Sequence, residues 1–353
     1  MHQNLKAFII GSGIAGIASA IRLAVQGFRV TVFEKNSIAG GKIDLIEKAN
    51  YCFDSGPSLF THPQYIEDLF ALTNEKIENY FSYKPVEIAC KYFYEDGTVI
   101  NAYANAEKLK KELEEKTGEP KENIRRYLKS SEKAYSNIGN IFLNYSLHKR
   151  KTVRRVSVLK ALISIKPSLI FSSLNELNTR SFSKPQTIQL FNRYATYNGS
   201  NPYTAPAMLS VIPHLEYNEG IFYPQGGMIS IIHSLYRLAV KMGVTFQFNS
   251  PVQYIIVHEQ MAIGIVVNDE NHFADAVISN GDLYFTYKQL LQDEKKAQKI
   301  LKQERSSSTI IFYWGMKKEF PQLQLHNIFF SKNYKEEFDF IFKRRQLYHD
   351  PTV

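Results

Sequence analysis

Between an apolar run ending at Ile10 and a helical pattern starting near Ile17, the chain carries Gly11, Ser12, Gly13, Ile14, Ala15 and Gly16. Few folds use that arrangement. Gly11 permits a tight turn, Gly13 lets a pyrophosphate approach the backbone, and Gly16 lets helix and strand pack closely. Lys6 to Ile10 reads as a strand, while Ile17, Ala20, Ile21 and Ala24 recur at helical spacing until Gly27. Arg29 to Phe33 reads as the second strand of a βαβ unit. Amides at the helix start, around Ile14 and Ala15, face an anion, and Glu34 stands where a carboxylate accepts hydrogen bonds from ribose hydroxyls and repels a 2′-phosphate. An adenine dinucleotide is expected. The turn alone does not separate NAD from FAD.

A length of 353 residues sits where a single core tends to divide, so two domains are expected. Asn105 to Tyr135 reads as two solvent-facing helices broken at Gly118 and Pro120. Ile231, Ile232, Leu235, Leu238, Ala239 and Met242 form a buried helical stripe closed by Gly243. Val244 to Phe248, Val252 to Val257 and Ala262 to Val267 then read as a three-stranded meander, and Phe273 to Ser279 as one further buried strand.

The net charge of +9 is concentrated at Lys149, Arg150, Lys151, Arg154 and Arg155, directly before the apolar stretch Val156 to Leu174. No nucleic-acid-binding motif accompanies the charge, so no nucleic-acid partner is expected; a basic cluster beside apolar residues suits an anionic membrane surface. Lys160, Lys166 and Pro167 argue against a spanning segment, leaving a surface-lying helix or a buried helix pair. Cys52 and Cys90 are too few for a disulfide framework or thiolate cluster, and the N-terminus carries no signal-peptide pattern. A cytoplasmic chain held peripherally at a membrane is expected. No metal site, catalytic acid or catalytic base stands out. His214 and Glu216 read either as polar pocket groups or as hydrogen-bonded structural residues.

Two more small-residue turns follow Glu34: Gly40, Gly41, Lys42, and then Asp54, Ser55, Gly56, Pro57, Ser58. Together with the opening unit they resemble the flavin amine oxidase and phytoene desaturase superfamily. Arg193, Tyr194, Ala195, Thr196, Tyr197, Asn198, Gly199, Ser200, Asn201, Pro202 resembles the Tyr-rich segment of bacterial carotenoid desaturases. Gly220 to Met228, containing Tyr223, Pro224, Gly226 and Gly227, resembles their Tyr-Pro-x-Gly-Gly-Met block. The likeness extends over essentially the whole chain and is nearest to hydroxycarotenoid 3,4-desaturases.

The resemblance implies an α/β fold: a Rossmann-like FAD-binding domain, discontinuous in sequence, with an inserted α+β substrate domain. Expected boundaries are 1–75 and 216–285 for the FAD-binding parts, with 76–215 and 286–353 for the substrate parts. It implies FAD against Gly11, Gly13, Ile14, Ala15, Gly16, Glu34, Lys35, Gly40, Gly41, Lys42, Gly56, Pro57, Ser58, Val252, Asn280 and Asp282. It places Arg193, Tyr194, Tyr197, Tyr223, Pro224, Gly226, Gly227 and Met228 at a carotenoid substrate. The implied reaction dehydrogenates a polyene lipid drawn from a membrane, with a quinone or oxygen as final acceptor. Relatives continue past Val353 with a further FAD-covering segment, so a truncated chain is expected. An amine or porphyrinogen oxidase, and an inactive or lipid-binding fragment, stay open as alternatives.

Overall fold

β1 (Lys6–Ile10) and β2 (Arg29–Phe33) pair in parallel from Lys6 opposite Arg29 to Ile10 opposite Phe33, with α1 (Ile14–Val25) as the crossover. The strand Ala276–Ser279 adds to the free edge of β1, and Thr245–Gln247 to that of β2, giving a four-stranded parallel sheet. The computed structural model describes residues 4–139, 141, 145, 149–155, 158, 160, 163, 165–303 and 305–353.

The chain divides into two units, one of Met1–Lys84 with Phe222–Arg305 and one of Pro85–Ile221 with Ser306–Val353. Strand alternation positions the core of the first. Ala7 and Ile9 point to the face covered by α1 and by the helix Ile229–Lys241, where Ile17, Ile21, Ile232, Leu235 and Leu238 are buried. Phe8 and Ile10 point to the opposite face and meet Ile255, Ile265 and Val267 of an antiparallel three-stranded sheet. That smaller sheet is Val252–His258, Met261–Val267 and Glu270–Phe273.

The meander therefore differs from its sequence-based outline. Its third strand is Glu270–Phe273, and Thr245–Gln247 belongs to the parallel sheet instead. The cause is the helix before it: a helix returning over a sheet delivers the next strand parallel to its neighbours. Tyr236 on that helix packs edge-on against Phe246, centroids 4.7 Å apart, and fixes the return. The single strand expected over Phe273 to Ser279 is interrupted at Asp275, whose carboxylate accepts the Lys6 amide at 2.7 Å as the chain changes sheets.

The second unit centres on Ile88–Phe93, antiparallel to Val99–Tyr103 and parallel to Asn327–Phe329. The helices Ala106–Thr117 and Lys121–Ala134 break at Gly118, φ +71°, as expected. They face water on one side only, since Leu109, Leu113 and Ile124 are fully buried. Residues 76–84 pack with the first unit through Phe81 and Tyr83, and 286–305 through Leu290 and Leu291. Glu216 and Tyr217 lie in the second. The boundaries thus fall at 84, 221 and 305 instead of 75, 215 and 285, because Phe81, Tyr83, Leu290 and Leu291 pack into the first unit and Tyr217 into the core of the second. Part of Val156 to Leu174, including Val156 itself, lies outside the described residues. Among those described, no helix is long and apolar enough to cross a membrane.

Candidate functional site

In the first unit the small-residue turns touch one another in series. Gly11 adopts φ +97°, and a Cβ on Gly16 would lie 2.2 Å from the Gly11 carbonyl, so only glycine allows α1 to start there. A Cβ on Gly13 would lie 2.8 Å from Asn280 Nδ2, which places Asn280, at the end of Ala276–Ser279, over the turn. Gly40 donates its amide to the Ser12 carbonyl at 3.1 Å, and a Cβ on Gly41 would come within 3.0 Å of Gly13 Cα. Further along, a Cβ on Gly56 would collide with the Lys42 carbonyl at 1.8 Å. Asp54 then accepts the Met228 amide with both carboxylate oxygens at 3.0 Å, beside Gly227. Five stretches of the chain, 11–16, 40–42, 54–56, 227–228 and Asn280, form one seam of closely packed backbone.

Glu34 is 4% exposed at the end of β2. Its Oε2 accepts the Ser12 amide and the Ser12 hydroxyl, each at 2.8 Å, and its Oε1 accepts the Asn36 amide at 2.9 Å. A carboxylate offers about four acceptor sites, so roughly one remains for a further donor such as a ribose hydroxyl. Ser12, absent from the sequence-based set, holds this carboxylate in place; its only sequence signal was its position inside the glycine turn. Asp54 was likewise visible only as the acid beginning a glycine-containing segment.

Other expected cofactor residues are less engaged. Lys35, Lys42, Pro57 and Ser58 are exposed, and Asp282 caps the short helix Leu283–Phe285 by accepting the Tyr284 amide at 2.8 Å. Val252 begins the smaller sheet opposite Val267. Ile14 and Ala15 form the exposed first turn of α1, next to the seam.

The expected substrate residues divide between the units. Tyr223, Pro224, Gly226, Gly227 and Met228 lead into the helix Ile229–Lys241 of the first. Gly226 and Gly227 take φ +87° and +78°, which forces the sharp turn. Burial, with Asp54 adding to it, holds the Tyr223 phenol above its ordinary range, so the hydroxyl remains a neutral donor.

Arg193, Tyr194 and Tyr197 belong to the second unit and are spent on an internal polar cluster. The Arg193 guanidinium lies 3.0 and 3.2 Å from the two oxygens of Glu216, which is 1% exposed. The Tyr194 hydroxyl lies 2.6 Å from Glu216 and 2.6 Å from the Tyr217 hydroxyl, and Tyr197 also donates to Glu216. The guanidinium stacks over the Tyr194 ring, 4.6 Å from its centroid. Glu216 is therefore a structural ion-pair partner, and not of His214, which faces Glu219 at 3.4 Å and Tyr135 instead.

A parallel sheet with a glycine crossover, a buried acid at the end of β2 and further glycine turns along one seam define an α/β dinucleotide-binding protein. The seam's bare backbone suits a pyrophosphate and its carboxylate suits an unphosphorylated ribose, so the residues fit FAD. The model of the flavin containing amine oxidoreductase family matches residues 14–338, and the chain belongs to that family, with FAD as its cofactor. It is 49% identical to a 1-hydroxycarotenoid 3,4-desaturase of Flavobacterium sp. (strain P99-3), over 99% of this chain and 71% of that protein. It is 32% identical to a phytoene desaturase of Fusarium fujikuroi, over 98% of this chain and 61% of that one. The solved structure of an oxidoreductase from Methanosarcina mazei shares the fold with a TM-score of 0.56 at 18% identity, covering 84% of this chain and 65% of that chain.

Proposed function

We propose that this chain is an FAD-dependent carotenoid desaturase acting on a 1-hydroxycarotenoid at the 3,4 bond. The observation that carries this is the continuous seam from the Gly11 turn through Gly41 and Gly56 to Met228, in a chain 49% identical to a desaturase of that name. Bound FAD would supply the acceptor for the hydride lost from the polyene.

The chain's own residues bind and orient. Gly11, Gly13 and Gly16 keep the start of α1 open to the pyrophosphate, and Glu34, fixed by Ser12, takes a ribose hydroxyl. Asn280 covers the turn. Tyr223, Pro224, Gly226, Gly227 and Met228 lead into the helix Ile229–Lys241 and would help hold the cofactor and substrate, with Tyr223 as a neutral donor. Arg193, Tyr194 and Tyr197 shape the substrate region as a rigid scaffold. Lys35, Lys42, Pro57, Ser58, Val252 and Asp282 complete the cofactor surroundings. No dedicated base is assigned, because allylic cation character at the carbon losing hydride acidifies the proton beside it.

A long polyene dissolves poorly in water, so the enzyme draws it from a bilayer on the cytoplasmic side. Exposed Ile163 and Phe171, at 83% and 84%, lie close in sequence to exposed Arg154 and Arg155 and supply the apolar and basic parts of such a contact. Oxygen or a membrane quinone is the final acceptor. The test is conversion of a 1-hydroxycarotenoid in liposomes with added FAD: a longer conjugated product, seen as a red-shifted spectrum, is expected. Turnover of a soluble amine with no effect on the polyene would refute the assignment.

A further inference from the structure

A cavity of about 370 Å³ lies within the second unit, between the helix Lys121–Ala134 and the end of the helix Leu174–Ser181. Arg126, Arg180 and five serines line it beside Tyr127, Leu177 and Phe182, with no carboxylate among the lining residues. Both arginines are exposed, and neither has a carboxylate within ion-pair distance among the described residues. Arg126 donates only to neutral oxygens, the Asn123 amide at 2.6 Å and the Glu122 carbonyl at 3.5 Å. Neighbouring cations of the same helix do find carboxylates, Arg125 at Glu122 and Lys121 at Glu114.

Ser131 supplies an independent sign of a ligand. It is 2% exposed, and its Oγ has no hydrogen-bond partner among the described residues. A buried hydroxyl without a partner is costly and calls for an occupant that completes it. The buried acid beside the cavity, Glu119, does not compete for the arginines: its carboxylate accepts the amides of Ser183 and Lys184 and the side-chain amide of Asn123 at 2.8 to 3.1 Å, and the Ser183 hydroxyl at 3.3 and 3.4 Å.

We infer that this cavity is a phosphate-binding site. Two planar guanidinium forks with serine hydroxyls beside them suit a tetrahedral oxyanion with several acceptor oxygens, and Tyr127, Leu177 and Phe182 supply the apolar part of the wall. Leu177 lines the cavity and also packs against the apolar cluster of Ile141, Val158, Ile165 and Leu169, the stretch that carries exposed Ile163 and Phe171. The phosphate can therefore come from a lipid headgroup or from solution.

The two sources separate experimentally with the FAD-supplied full chain. Thermal midpoints are measured with inorganic phosphate against chloride at equal ionic strength, and partition is measured onto phosphatidylcholine vesicles with and without phosphatidylglycerol. The cavity variant is Arg126→Gln with Arg180→Gln. The control is Lys295→Gln with Lys302→Gln, exposed cations of the first unit that remove the same charge. Phosphate is expected to raise the midpoint of the wild type and the control but not of the cavity variant. For a headgroup ligand, the cavity variant also loses about tenfold in partition to anionic vesicles relative to the control. A phosphate-dependent midpoint with equal vesicle binding assigns the site to free phosphate. Ser131→Ala is expected to weaken the phosphate response without unfolding the chain. Identical behaviour of the cavity and control variants in both measurements overturns the site.

Discussion

Asp54 accepts the backbone amide of Met228, 174 residues away, with both carboxylate oxygens at 3.0 Å. The contact ties the third small-residue turn to the start of the helix Ile229–Lys241 and leaves room for no side chain at Gly227, where a Cβ would lie 2.8 Å from that carboxylate. Asp54→Ala leaves the Met228 amide unpaired and is expected to cost about 1–3 kcal/mol in unfolding free energy. Gly227→Ala adds a left-handed backbone penalty of about 1–2 kcal/mol to the same clash. Denaturant titration checks both; two variants as stable as the parent would remove this contact from the account.

Glu34→Gln is expected to weaken FAD binding about 10- to 100-fold, the loss of a charge-assisted bond worth about 1.5–3 kcal/mol. Ser12→Ala, which frees the carboxylate from its only side-chain donor among the described residues, follows in the same direction with a smaller effect. Flavin fluorescence titration beside thermal unfolding separates binding from folding. Equal loss of both in Glu34→Gln would make that residue purely structural.

Much of the first unit is legible in sequence because its signals are local. Ile17, Ala20 and Ile21 recur at helical spacing and are fully buried, and the Gly11, Gly13 and Gly16 spacing corresponds to contacts in the turn. Partner choice is not local. Thr245–Gln247 has the composition of a meander strand, but its place beside β2 is set by the helix before it and by a partner more than 200 residues upstream. The Arg193–Glu216 pair was hidden for the same reason, since the Tyr-rich block gives no sign of which acid neutralises its arginine. The serine and arginine cavity was hidden more completely: each of its residues alone looks like ordinary helix surface.

Glu216→Gln strands the Arg193 guanidinium in a fully packed setting and is expected to cost about 3–5 kcal/mol. Replacing both members, Arg193→Met with Glu216→Leu, should cost less than the single change. Unfolding midpoints of the three proteins provide the check. A harmless single variant would show that the cluster is not what holds the second unit's tyrosines.

The two thiols should differ in reactivity. Burial pushes the Cys90 thiol up to about 11, whereas Cys52 is exposed, with its thiol raised less by the hydrogen bond to Glu47. Near pH 8 about one Cys90 thiol in a thousand is ionised, and access is blocked as well. A thiol reagent should therefore label Cys52 rapidly in the native chain and Cys90 only on unfolding. Fast labelling of both would mean that the Cys90 strand is not packed as described.

Retention of flavin tests the dinucleotide seam most directly. The purified chain is incubated with FAD, desalted, scanned for the flavin absorption band, and then denatured to release and quantify the cofactor. A flavin spectrum that stays with the wild type through desalting and is depleted in Glu34→Gln is the predicted result. A folded wild-type chain that retains no flavin would contradict the account.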